Sequence, residues 1–209
     1  MKKCYIVGAG EFFGDFSPRE EDLVIAADGG YSALSERGIR CDLLVGDLDS
    51  EDSPPTDIEI LRHPIEKDET DMHLAYLEGA RRGYENFEIY GGTGGRSDHT
   101  FANYCLLFYI RERGGRARLH DKLGYAMAIE NEMTRLEGEV GDHLSVFAFG
   151  GDALGVDIRG FKYSLTDGTL SADFPLGVSN EFISESGEIG VRKGRLLIIS
   201  QKKLDKPKN

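Results

Sequence analysis

Over its first 120 or so residues this chain alternates short apolar runs with amphipathic stretches, and after that the alternation stops. Runs at Cys4–Gly8, Leu23–Ala27, Leu43–Gly46, Ile58–Leu61 and Phe87–Gly91 have the length and composition of buried strands. Between them lie helical stretches at Tyr31–Arg37, Thr70–Arg82 and His99–Arg113, and Arg116–His120 adds one more strand. Apolar strands that take turns with helices predict an α/β domain, a mainly parallel sheet with helices on both faces. From Tyr125 onward only short β-rich runs follow: Tyr125–Ile129, Met133–Leu136, Leu144–Phe149, Val156–Ile158, Phe161–Leu165, Val178–Ile183, Ile189–Arg192 and Arg195–Ser200. Glycine or acidic turns separate them at the spacing of a small all-β sandwich. The expected division is therefore an α/β domain over 1–122, a β domain over 123–203 and a frayed lysine-rich tail over 204–209. So small a β domain is near the lower limit for standing alone and is expected to lean on a neighbour or a second subunit.

Composition narrows the partners. A formal net charge of −12 repels phosphate backbones, so a nucleic-acid partner is not expected. The same charge is compatible with a small nucleotide, because Mg²⁺ bridges carboxylates and phosphates. Three widely spaced cysteines, at 4, 41 and 105, form no zinc pattern and fit a reducing compartment. The opening MKKCYIVGAG has too short an apolar run for a signal peptide or a membrane span, so the expectation is a soluble, cytoplasmic protein.

In an open parallel sheet, ligands bind beyond the carboxyl ends of the strands. Four segments fall there. Asp28-Gly29-Gly30 ends a strand and opens a helix; it is either a capped turn or a place where backbone approaches a ligand. Gly46-Asp47-Leu48-Asp49-Ser50 sets two carboxylates two residues apart, as a solvated turn or as a pair aimed at one cation. Lys67-Asp68-Glu69-Thr70-Asp71 reads equally as helix capping or as a metal-and-phosphate site. Gly91-Gly92-Thr93-Gly94-Gly95-Arg96-Ser97-Asp98-His99, leading to Asn103, joins glycines, an arginine fork and a helix N-terminus, all suited to phosphate. Other nucleotide signatures fail. There is no Gly-Lys dipeptide for a Walker A loop, and Gly8-Ala9-Gly10 has Phe13 where a dinucleotide fingerprint needs its third glycine.

In this order, and with Ser179-Asn180-Glu181 as a fifth match, these segments resemble the thiamine pyrophosphokinase family over nearly the whole chain. The resemblance implies an α/β domain for ATP, a β-sandwich that helps bind thiamine, and a homodimer whose sites are shared across the interface. It implies Mg²⁺ on Asp47, Asp49 and Asp71. It implies nucleotide contacts from Asp28, Gly29, Gly30, Lys67, Asp68, Thr70, Gly91, Gly92, Gly94, Gly95, Arg96, Asp98, His99 and Asn103. Ser179 and Asn180 look like thiamine contacts. Arg96 would stabilise charge on the phosphates, and Asp71 or Asp98 would take the hydroxyl proton. Some relatives place a tryptophan beside thiamine; this chain has no tryptophan, so a Phe or Tyr must serve. The rival readings are a pyrophosphokinase for a pterin alcohol and a non-catalytic nucleotide-binding module.

Overall fold

The computed structural model describes residues 1–46, 58–63 and 68–203, and the chain divides into two compact units that meet at Lys122 and Leu123 in sequence. The architecture is mixed α/β.

The first unit holds strands β1 (Cys4–Val7), β2 (Leu23–Ala27), β3 (Leu43–Gly46), β4 (Glu59–Arg62), β5 (Asn86–Tyr90) and β6 (Arg116–His120). They lie in the order β6-β5-β1-β2-β3-β4, and each pairing among them is parallel, with Cys4 opposite both Leu23 and Phe87. Every residue of β1, β2 and β3 is buried, which is why these runs are apolar throughout instead of alternating. Tyr5, Val7, Val24, Ala26, Leu44 and Tyr90 form one core cluster with Leu34 of helix α1 (Gly30–Glu36). Their sequence neighbours point to the opposite face. There Gly79 of α2 (Asp71–Arg81) lies so close that a Cβ would be 2.8 Å from Cys4 Sγ, and Tyr76 sets its ring edge against Phe87. Among the described residues only α3 (Ser97–Glu112) completes the helical set.

The second unit holds β7 (Gly124–Glu130), β8 (Met133–Glu137), β9 (His143–Ala148), β10 (Ala153–Arg159), β11 (Leu165–Leu170), β12 (Gly177–Glu181), β13 (Ser186–Lys193) and β14 (Arg195–Gln201). The pairings among these strands are antiparallel, in the orders β12-β9-β14-β7 and β11-β10-β13-β8, and the parallel pairings lie in the first unit. The two layers share one core: Ile129, Leu144, Val146, Leu196 and Ile198 from one, Leu136, Val156, Ile158, Ile189 and Val191 from the other.

One expected strand is displaced. Phe161–Leu165 is a bend in which Phe161 makes a single bridge to Phe182, and the strand begins only at Leu165. The cause is visible in the side chains. Phe161 is buried edge-on against Phe182 at 4.7 Å and acts as a plug, while Tyr163 stays exposed. The real strand, LTDGTL, is too polar to be read as one.

Candidate functional site

The first candidate site is made mostly of backbone. Gly8 N–H donates to the Tyr90 carbonyl and Gly10 N–H to the Gly91 carbonyl, both at 2.9 Å, so the turns leaving β1 and β5 interlock. A Cβ on Gly10 would come within 2.6 Å of the Gly91 oxygen and 2.8 Å of the Thr93 oxygen. Gly91 itself sits at φ +62°, the left-handed region that glycine enters without cost. Between these turns and the start of α3 lies a pocket of about 270 Å³.

Of the residues singled out in the sequence, Gly91, Gly92, Gly95, Arg96, His99 and Asn103 line this pocket. Ala9, Gly10, Met72, Thr93 and Thr100 line it as well. The signal for the first two was the Gly-Ala-Gly that follows the first strand, which fails as a dinucleotide fingerprint yet still marks a close backbone approach. Met72 carried no signal beyond its place in the first turn of a helix after the acidic segment.

The remaining residues take other places. Asp28 turns at φ 48° and donates its N–H to the Val45 carbonyl at 2.8 Å. Gly29 abuts Ala9, and a Cβ on Gly30 would collide with the Val7 carbonyl, so Gly30 lets α1 pack onto β1. Gly94, at φ +83°, lies against the Glu11 carboxylate. Thr70 is the N-cap of α2, its Oγ1 accepting the His73 N–H at 3.2 Å; Asp68 is exposed just before it and Asp71 is the first helical residue. Asp47, Asp49 and Lys67 lie outside the described residues, and so does the 204–209 tail. Among the described residues no three His, Cys, Asp or Glu side chains gather as a metal cluster.

Two of the polar side chains are spoken for. Asn103 is buried and donates to the Gly92 carbonyl at 2.8 Å, which pins the glycine loop to α3. Arg96 grips Asp98 in a two-point fork, Nη2–Oδ2 at 2.7 Å and Nε–Oδ1 at 3.2 Å, on the solvent side. The Arg96 hydrogen bonds hold the Asp98 carboxyl down to about 2, and the His99 N–H adds to this.

The second candidate site lies in the β unit. Ser179 is exposed at φ 61°, and its N–H donates to Ser145 Oγ at 3.2 Å. Asn180 is buried, and its amide works on its own chain. Oδ1 accepts from Tyr163 N–H at 2.9 Å and Glu181 N–H at 3.0 Å, and Nδ2 donates to the Tyr163 carbonyl at 2.7 Å. These bonds hold Tyr163 and leave one amide hydrogen of Asn180 over. The Tyr163 ring, 61% exposed, borders a pocket of about 370 Å³ with Leu165, Leu170, Leu176, Val178 and Asn180. Lys162 Nζ stands 5.6 Å from the ring centroid. Sequence reasoning missed Tyr163 because it lay inside a run taken for a strand.

Comparison with known proteins covers both units. Residues 18–119 match the family model described as thiamin pyrophosphokinase, catalytic domain, and residues 130–196 match thiamin pyrophosphokinase, vitamin B1 binding domain. A thiamine pyrophosphokinase of Bacillus subtilis (strain 168) is 30% identical over 190 residues, 86% of this chain and 87% of the relative. Among solved structures, the thiamine pyrophosphokinase from Bacillus subtilis superposes with a TM-score of 0.89 at 26% identity, covering 98% of this chain and 100% of that one. A thiamin pyrophosphokinase family protein from Enterococcus faecalis gives 0.83 at 27% identity, covering 97% and 100%.

Proposed function

The chain belongs to the thiamine pyrophosphokinase family, and we propose that it moves a diphosphate group from ATP to the hydroxyl of thiamine, releasing AMP. The observation that carries this reading is the interlocked glycine pocket. It lies at the carboxyl edge of a parallel sheet, opens onto the N-terminus of α3 and has Arg96 at its rim. Backbone N–H groups, a helix N-terminus and a guanidinium fork all favour a phosphate chain. The first unit is the proposed nucleotide domain and the second the proposed thiamine domain.

Mg²⁺ is proposed on Asp47, Asp49 and Asp71. The donor set is carboxylate oxygen throughout, which suits this cation, and Asp71 stands next to Met72 of the pocket wall. The ion, when bound, would neutralise charge on the phosphate oxygens. The chain's own part is positioning. Arg96 exchanges Asp98 for phosphate oxygens, and Asn103 keeps the loop in place by its bond to Gly92. Asp71 or Asp98 takes the hydroxyl proton; Asp98 gains the basicity for this only after Arg96 has left it, since the pair holds its carboxyl down to about 2. On the thiamine side, Tyr163 offers the ring face, and Ser179 and Asn180 are the proposed polar contacts, Asn180 through its remaining amide hydrogen while its other bonds hold Tyr163. A homodimer with shared sites and a cytoplasmic location complete the proposal; the free state of Cys4, Cys41 and Cys105 supports the latter. No helix among the described residues is long and apolar enough to cross a membrane.

The test is incubation with ATP, Mg²⁺ and thiamine. AMP and thiamine diphosphate are expected in equal amounts, and EDTA is expected to stop both. Appearance of ADP with thiamine monophosphate would overturn the transfer proposed here.

A further inference from the structure

Two polar side chains of the glycine loop region are buried, and they differ. Asn103 has its hydrogen bond to Gly92. Thr93 is 9% exposed, and its Oγ1 is shielded from solvent with no hydrogen-bond partner among the described residues. A buried hydroxyl left unpaired is costly, and valine would fill the same shape without that cost. Thr93 also lines the pocket, between Gly92 and Gly95. The loop around it has little room to relax. Its carbonyl lies 2.8 Å from where a Gly10 Cβ would stand, and the Gly91 carbonyl is tied to Gly10.

We infer that the Thr93 hydroxyl is a ligand group for the phosphate chain of the nucleotide, an inference that rests on the nucleotide reading of this pocket. A phosphate oxygen only accepts, and a threonine hydroxyl can donate. Arg96, another side-chain donor of the loop, is held by Asp98, so Thr93 is a donor for which no acceptor among the described residues competes. With the backbone held, rotation about the Thr93 Cα–Cβ bond turns the hydroxyl to the nucleotide, and its missing bond is then made. The hydroxyl is retained for the bound state at the expense of the free one.

The experiment compares wild type, Thr93→Val and Thr93→Ser for the melting temperature of the ligand-free protein and for binding of ATP with Mg²⁺ by calorimetry, without thiamine. Thr93→Val is expected to melt at or above the wild-type temperature while binding ATP roughly tenfold more weakly. Thr93→Ser, which keeps the hydroxyl, is expected to bind within about twofold of wild type. Equal ATP binding by Thr93→Val overturns the inference. So does a Thr93→Val protein that melts several degrees lower, because the hydroxyl would then serve the fold. Wild type that binds no ATP sinks the nucleotide reading itself, whereas wild type that binds while Thr93→Val binds equally sinks only the role of Thr93.

Discussion

The two units build their candidate pockets by opposite means. In the first, glycine turns after β1 and β5 form much of the wall, and the side chain of Asn103 makes one bond to hold them. In the second, the walls are side chains beside β11 and β12, and Asn180 makes three bonds to hold one of them, Tyr163, in place. A parallel sheet dictates which edge a ligand meets, so a motif after a strand can be read directly as part of the site. An antiparallel sandwich dictates no such edge. There the conspicuous polar residue spends most of its hydrogen bonds holding an unremarkable aromatic in place beside it.

The largest expected effect separates the two asparagines. Asn180→Ala removes three hydrogen bonds and should cost about 2–4 kcal/mol, a fall in melting temperature of roughly 5–10 °C by calorimetry. Asn103→Ala removes one and should cost about 1 kcal/mol. Equal losses would erase the contrast between a pegged side chain and a pinned loop.

A smaller effect sharpens it. The Tyr163 ring is mostly exposed, so Tyr163→Ala should leave the melting temperature nearly unchanged. Steady-state kinetics should nonetheless show KM for thiamine raised about tenfold, with KM for ATP unaltered. If the ATP constant moves as much as the thiamine constant, Tyr163 does not belong to a separate thiamine wall.

The smallest effect concerns what the units share. Asp22, in the turn before β2, accepts the N–H groups of Lys3 and Arg19 and the Arg19 guanidinium. Asp142, in the turn before β9, accepts those of Glu139 and Lys203 and the Lys202 ammonium. Burial alone would push both carboxyls up, and the hydrogen bonds more than offset it, so both lie below their ordinary value. A carboxyl depressed in the folded state contributes stability above its unfolded pKa, near 4, and loses it as pH falls through the folded one. Denaturant melts should therefore weaken below about pH 4 in both units, and Asp22→Asn or Asp142→Asn should flatten that acid limb at a cost of about 1 kcal/mol each at neutral pH. An acid limb left intact by both variants would place the titration elsewhere.

Much of this was legible before the structure. The strands and helices of the first unit fall within a residue or two of their predicted bounds, because wholly buried apolar runs and helical spacing are strong signals. The glycine loop was legible because four glycines, an arginine and a helix start seldom coincide by chance. What was not legible is pairing at a distance. Nothing near Asn180 in sequence announces that its amide will close on Tyr163, and nothing near Arg96 settles that its fork will rest on Asp98 instead of standing open. LTDGTL was missed because β11 lies at the end of its layer and buries little besides Leu170, so its composition resembles a turn.

The position of β1 has a consequence for how the protein is made. It lies between β2 and β5, with Cys4 paired to Phe87, so β1 is flanked on one side by a strand synthesised much later. Until β5 emerges, β1 has only half of its partners, and the long intervening loop must be closed before the middle of the sheet exists. The same event brings Gly8 and Gly10 against Tyr90 and Gly91. Completion of the first unit and creation of its glycine pocket are one step in the life of the nascent chain, so a chain stalled before β5 has neither.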